Sequence, residues 1–101
     1  VTAVVALVDD LMDRSRLTAA VPGIEFTRDA AGAAGAAVVV VDLARHAGAL
    51  AAVRAAAPTA RIVGFGPHVD EGTLTRARTE GADAVLARSR FFRDPAAALR
   101  I

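Results

Sequence analysis

Two apolar runs in this 101-residue chain end in carboxylates: Val4-Val5-Ala6-Leu7-Val8 runs into Asp9-Asp10, and Val38-Val39-Val40-Val41 runs into Asp42. If both runs are neighbouring parallel strands, three acids meet at one edge of a sheet, where open α/β folds carry their sites. Carboxylates brought that close repel one another by a few kcal/mol per pair at an effective dielectric of about 20, so something must neutralise them. Arg88, which follows the last apolar segment, is the cation placed to do so, by pairing with Asp10 or Asp42. His68, after Gly66-Pro67, and Ser89 are candidates to line the same crevice. With Arg88, His68 would suit a small anion.

The other chemistry-bearing residues form no recognisable constellation. His46 has no second histidine or carboxylate at ligand spacing, so it reads as a surface residue and a zinc site is not supported. Gly64-Phe65-Gly66 is too short, and lies too late in the chain, for a phosphate-binding glycine fingerprint. Ser15 and Ser89 have no adjacent base and read as helix caps. Phe91 and Phe92 beside Arg90 and Arg93 have the look of a base-stacking surface, but at least one ring should pack on the sheet, and no nucleic-acid partner is expected.

The elements that must position these residues follow from the apolar rhythm. Strand-like segments begin near Ala3, Ile24, Ala37, Ile62 and Ala82, with helix-compatible stretches between them, which predicts five βα units in one domain over residues 1–101. Three segments are continuously apolar, as strands covered on both faces should be, whereas Ile24-Glu25-Phe26-Thr27 alternates like an edge strand. Asp70 is the clearest helix cap, with Val69 and Leu74 as a hydrophobic staple and Gly81 as the stop. Leu50, Val53 and Ala57 mark a buried stripe after the third strand, the Ala/Gly-rich stretch from Asp29 to Gly35 reads as a weak helix, and Asp94-Pro95 opens a last helix running to about Ile101. The expected fold is flavodoxin-like: a parallel sheet in the order 2-1-3-4-5 with helices on both faces.

Composition bounds the function. No cysteine is present, so disulfide and thiolate chemistry are excluded and a reducing cytoplasm is expected. The pI of about 9.2 suggests nucleic acid, yet all twelve basic residues are arginine, and with no Lys, Tyr or Cys a net charge of +1 drifts to a high pI without a basic patch. No apolar stretch approaches the roughly 20 residues of a membrane span. Arg88, Arg90, Arg93 and Arg100 face only Asp94 in sequence, an imbalance that suits an acidic partner or an anion.

Five βα units, an acidic pair closing the first strand and a single acid closing the third resemble the receiver domains of bacterial two-component signalling over essentially the whole chain. Val8-Asp9-Asp10-Leu11 is similar to that family's first loop, Val41-Asp42 to its phospho-acceptor segment and Gly81-Ala82-Asp83 to the approach to its fifth strand. The resemblance implies Mg²⁺ held by Asp10 and Asp42, with Asp42 as phospho-acceptor. It also exposes departures: Gly66 stands where the family has a reporting Ser or Thr, Arg88-Ser89 stands for Lys-Pro, and no Met-Pro follows Asp42. The expected function is therefore a non-catalytic, degenerate (pseudo-) receiver with no cofactor, not an enzyme, whose pocket of Asp9, Asp10, Asp42, Gly66 and Arg88 is structural. It would act through a protein partner and weak homodimers made by the fourth helix, fifth strand and fifth helix. The rivals are a Mg²⁺-dependent response-regulator receiver phosphorylated on Asp42, and a small-anion sensor using Arg88 and His68.

Overall fold

A computed structural model describes residues 3–67 and 69–101. The strands β1 (Val4–Leu7), β2 (Glu25–Phe26), β3 (Val38–Asp42), β4 (Arg61–Gly66) and β5 (Ala84–Ala87) are all parallel and lie in the order β2-β1-β3-β4-β5, as the sequence predicts. Around the sheet lie helices α1 (Leu11–Ala20), α2 (Leu43–His46), α3 (Leu50–Ala56), α4 (Glu71–Thr79), α5 (Arg88–Arg93) and α6 (Pro95–Leu99), with 3-10 turns at Ala30–Ala33 and Ala47–Ala49.

The period of two along each strand divides the core into two layers. Val5, Leu7, Val39, Val41 and Ile62 share one layer with Leu50 and Val53 of α3 and Ala77 of α4. Val4, Ala6, Val38, Val40, Val63 and Phe65 share the other with Leu17 of α1, Phe91 of α5 and Leu99 of α6. Burial on both faces is why the three central strands read as unbroken apolar runs. Phe65 and Phe91 stack at 4.9 Å, and Phe92 meets both rings edge-on at 5.1 and 5.0 Å. Such pairs contribute about 0.5–1.5 kcal/mol each beyond their buried area. Phe91 is thus a core residue.

Two helical expectations are corrected and a third is refined. The stretch from Asp29 to Gly35 forms only the 3-10 turn, because an Ala/Gly segment carries a high backbone entropy cost and no bulky stripe to bury. The helix after β3 is broken into α2, a 3-10 turn and α3, although Leu50, Val53 and Ala57 are buried as expected. The C-terminal helix opens at Asp94-Pro95 as expected, Asp94 accepting a hydrogen bond from the Ala97 N–H at 3.2 Å to cap α6, but it ends at Leu99 and is preceded by the separate helix α5. Neither serine caps a helix, since Ser15 lies inside α1 and Ser89 inside α5. Asp70 does, accepting from the Thr73 N–H at 2.7 Å.

The corner joining α3, α4 and β5 rests on Arg54 and Gly81. Gly81 ends α4 at φ +117°, and a Cβ there would lie 2.7 Å from Cβ of Arg54. Gly81→Ala is therefore expected to destabilise by about 1–3 kcal/mol in a urea titration, and an unchanged midpoint would contradict this packing. At the same corner Asp83 Oδ2 accepts from the Ile62 N–H at 2.8 Å and from Arg54 Nη2 at 2.7 Å. Burial pushes this carboxyl up, but the Ile62 N–H and the Arg54 guanidinium together outweigh it and hold its pKa below the ordinary aspartate value. A depressed folded pKa contributes stability that is full above the unfolded value and is lost as pH falls through the folded one. Acid titration of Asp83→Asn should accordingly show a shallower loss of stability below about pH 4 than the parent chain.

Candidate functional site

The sheet register sets Leu7 beside Val41, Asp42 beside Phe65 and Gly66 beside Ala87, so the carboxyl ends of four strands open onto one place. There an open cavity of about 200 Å³ is lined by Asp10, Asp13, Asp42, Ala44, Arg45, Phe65, Gly66, Pro67 and Arg88. Two of the acids are spent partly on starting helices. Asp10 Oδ1 accepts from the Asp13 N–H at 3.0 Å and caps α1. Asp42, only 5% exposed, accepts from the Ala44 N–H at 3.0 Å and caps α2.

The decisive contact involves an acid that the sequence reading passed over. Asp13 is 1% exposed, and the Arg88 guanidinium grips both its oxygens, Nη1 donating to Oδ2 at 2.7 Å and Nη2 to Oδ1. The guanidinium carbon also stands 5.0 Å from the Phe92 ring centre and 5.8 Å from that of Phe65. Hydrogen bonding to Asp13 raises the Arg88 pKa, burial opposes it, and the charges of Asp13, Asp42 and Asp10 add to the rise. Arg88 therefore pairs with Asp13, whose charge matches its own, and not with Asp10 or Asp42 as the sequence suggested. A signal was available. Asp13 and Leu17 form the buried stripe of α1, continued by Val21 at its C-cap, while Leu11 and Met12 are 79% and 69% exposed, so an acid sits where a core residue belongs and requires a partner.

Asp9 is drawn elsewhere and does not line the cavity. Its Oδ2 lies 3.0 Å from His46 Nε2, and its Oδ1 lies 3.9 Å from Arg14 Nη2. His46 is thus not a plain surface residue: α2 begins directly at Asp42 and carries the imidazole back to the end of β1. Arg14 is fixed by a hydrogen bond from its Nε to the Val8 carbonyl at 2.7 Å and by the Phe26 ring at 5.0 Å. Gly66 is in place at the end of β4, and no described residue lining the cavity has a hydroxyl. Ser89 lies beside a neighbouring cavity instead, and His68 falls outside the described residues.

The oxygens that the resemblance would assign to a hard divalent cation are partly engaged within the protein. Mg²⁺ takes octahedral coordination but keeps several of its waters, so one or two carboxylates are the usual protein contribution. Asp13 gives both oxygens to Arg88, Asp10 and Asp42 each give one to a backbone N–H, and a guanidinium borders the same space. Among the described residues no three His, Cys, Asp or Glu side chains gather as a metal-binding group.

Comparison with solved structures places the architecture. A response regulator from Burkholderia pseudomallei, solved with a phosphorylated aspartic acid, a calcium ion and citrate, superposes with a TM-score of 0.83 at 20% identity, over 98% of this chain and 66% of that one. The fold is that of a receiver domain. A response regulator from Thermotoga maritima matches at a TM-score of 0.68 and 14% identity over 100% of both chains. RcsB from Salmonella enterica serovar Typhimurium, bound to the promoter rprA in the presence of phosphomimetic BeF3-, matches at 0.63 and 13% over 99% of this chain and 66% of its own. The receiver fold thus spans only part of the Burkholderia and Salmonella chains. No family model matches the sequence, and no curated protein matches it. Among the described residues no helix is long and apolar enough to cross a membrane.

Proposed function

We propose that this chain is a degenerate receiver, a non-catalytic module of bacterial cytoplasmic signalling that works through protein contacts. The observation that carries this reading is the bidentate grip of Arg88 on the buried Asp13. It holds a guanidinium against the acidic edge, where Asp10 and Asp42 separately cap helices α1 and α2. Glycine at position 66 leaves no hydroxyl there to report a modification of Asp42. Calorimetric titration with Mg²⁺, alone and with beryllofluoride, is expected to show no saturable binding. Saturable binding would restore the rival reading of a phosphorylatable receiver.

The role of Asp42 is also testable. Because its structural partner is the Ala44 N–H and not Arg88, Asp42→Asn strands no charge and keeps a capping oxygen. Asp42→Asn should melt within about 0.5 kcal/mol of the parent, whereas Asp42→Ala should lose about 1 kcal/mol. Equal losses in both variants would contradict the capping role.

The protein contacts include weak self-association through α4, β5 and α5. Phe91 and Phe92 pointed to this face in the sequence, but they belong to the core stack, so the argument now rests on β5, an edge strand with half-buried side chains from Ala84 to Ala87. Sedimentation at high concentration should show a dimer. Monomer alone would remove this part of the proposal.

A further inference from the structure

Beside the acidic cavity, on the side of α1 and α5, lies a second open cavity of about 370 Å³ lined by Arg16, Arg88, Ser89, Phe92 and Arg93. Three of its lining residues are arginines and none is an acid. The guanidinium carbons of Arg16 and Arg88 stand 5.7 and 5.0 Å from the centre of the Phe92 ring. That ring is itself held edge-on by Phe65 and Phe91. Cation–π contact thus orients two guanidiniums from the core outward without consuming their N–H donors. Arg88 spends its terminal nitrogens on Asp13, while Arg16 and Arg93 form no ion pair among the described residues. Like charges gathered round one space repel one another, and a bound anion relieves that repulsion.

We propose that this arginine cavity binds a small polyphosphate, a compact ligand carrying two or more phosphate groups. The size is right for a small molecule, being near the lower end of the roughly 300–1,000 Å³ usual for such sites. The guanidiniums come from α1 and from both ends of α5, and planar forks approaching from several directions suit tetrahedral phosphate oxygens better than a single flat carboxylate. Ser89 adds a hydroxyl donor. Phe92, already carrying two guanidiniums, positions donors and offers no free platform for a base. Arg88 borders both cavities, so the ligand competes with Asp13 for its fork, and binding at the basic cavity loosens the lock on the acidic one. The binding itself does not rest on the degenerate reading of the acidic edge.

The test is calorimetric titration of the whole chain with tripolyphosphate, with adenosine triphosphate and with citrate, at low and at physiological salt. Tripolyphosphate is expected to bind at one site, adenosine triphosphate no more tightly, and citrate at least about tenfold more weakly, with affinity falling as salt rises. The Arg16→Ala, Arg93→Ala double variant, which leaves Arg88 in place, should weaken tripolyphosphate binding by about tenfold or more with only a small fall in melting temperature, from loss of the Arg16–Phe92 contact. In the parent chain the Arg88 side-chain nitrogen resonances should shift on binding. No saturable binding of tripolyphosphate at low salt, or equal affinity in the double variant, overturns the proposal. So does an acidic peptide that binds through Arg16 and Arg93 where tripolyphosphate does not, since the cavity would then belong to a protein interface.

Discussion

Replacing Arg88 by methionine is expected to destabilise the protein by about 2–3 kcal/mol, because it leaves the Asp13 carboxylate buried without its counter-charge. The loss should fall below the roughly 3–5 kcal/mol typical of a fully enclosed pair, since the Arg88 side chain is 42% exposed and water reaches one side of it. The diagnostic variant is the double substitution Arg88→Met, Asp13→Leu. Removing both charges eliminates the stranded group, so the double variant should regain most of the stability lost by Arg88→Met alone. Urea titration of the parent, both single variants and the double variant measures the coupling. Additive losses would mean that the two residues do not act as a pair.

Arg54→Ala should cost about 2–4 kcal/mol. This guanidinium serves several acceptors that no other side chain replaces: Nε and Nη2 donate to the Gly81 carbonyl at 3.1 and 2.7 Å, Nη1 to the Ala60 carbonyl at 2.7 Å, and Nη2 to Asp83 at 2.7 Å. Each lost bond from a charged donor leaves an acceptor less well satisfied, at about 1 kcal/mol or more. Arg54→Lys should recover only part of this, because an ammonium cannot span carbonyls on both sides of the corner with one rigid fork. Hydrogen exchange should show the amides of β5 opening sooner in Arg54→Ala than in the parent. Retained stability with unchanged exchange would mean that the carbonyls find water instead and that the clamp is not what holds β5.

The sheet was legible because its strands are buried on both faces, and a run such as Val38 to Val41 has no helical period to compete with that reading. The edge strand was legible from its alternation for the complementary reason, one face being less covered. The helices were read less well where side chains are small. From Asp29 to Gly35 there is no bulky residue to show which face is buried, and the Arg-rich start of α5 was read for its charge and not for the buried Phe91 within it. The site followed the same pattern. Strand ends are fixed by topology, so Asp10, Asp42, Gly66 and Arg88 could be brought together from the sequence. Partners across the cavity depend on helix phase, which is why Asp13 was missed, and on where α2 begins, which is why His46 was not foreseen beside Asp9.

If Arg88 keeps the acidic edge from accepting a phosphoryl group, intact-mass spectrometry will show it directly. The chain is incubated with acetyl phosphate and Mg²⁺, and its mass is followed beside that of Asp42→Asn. No phosphoryl adduct is expected on either protein; an adduct on the parent that is absent from Asp42→Asn would show that Arg88 does not block the edge and make this chain a working receiver.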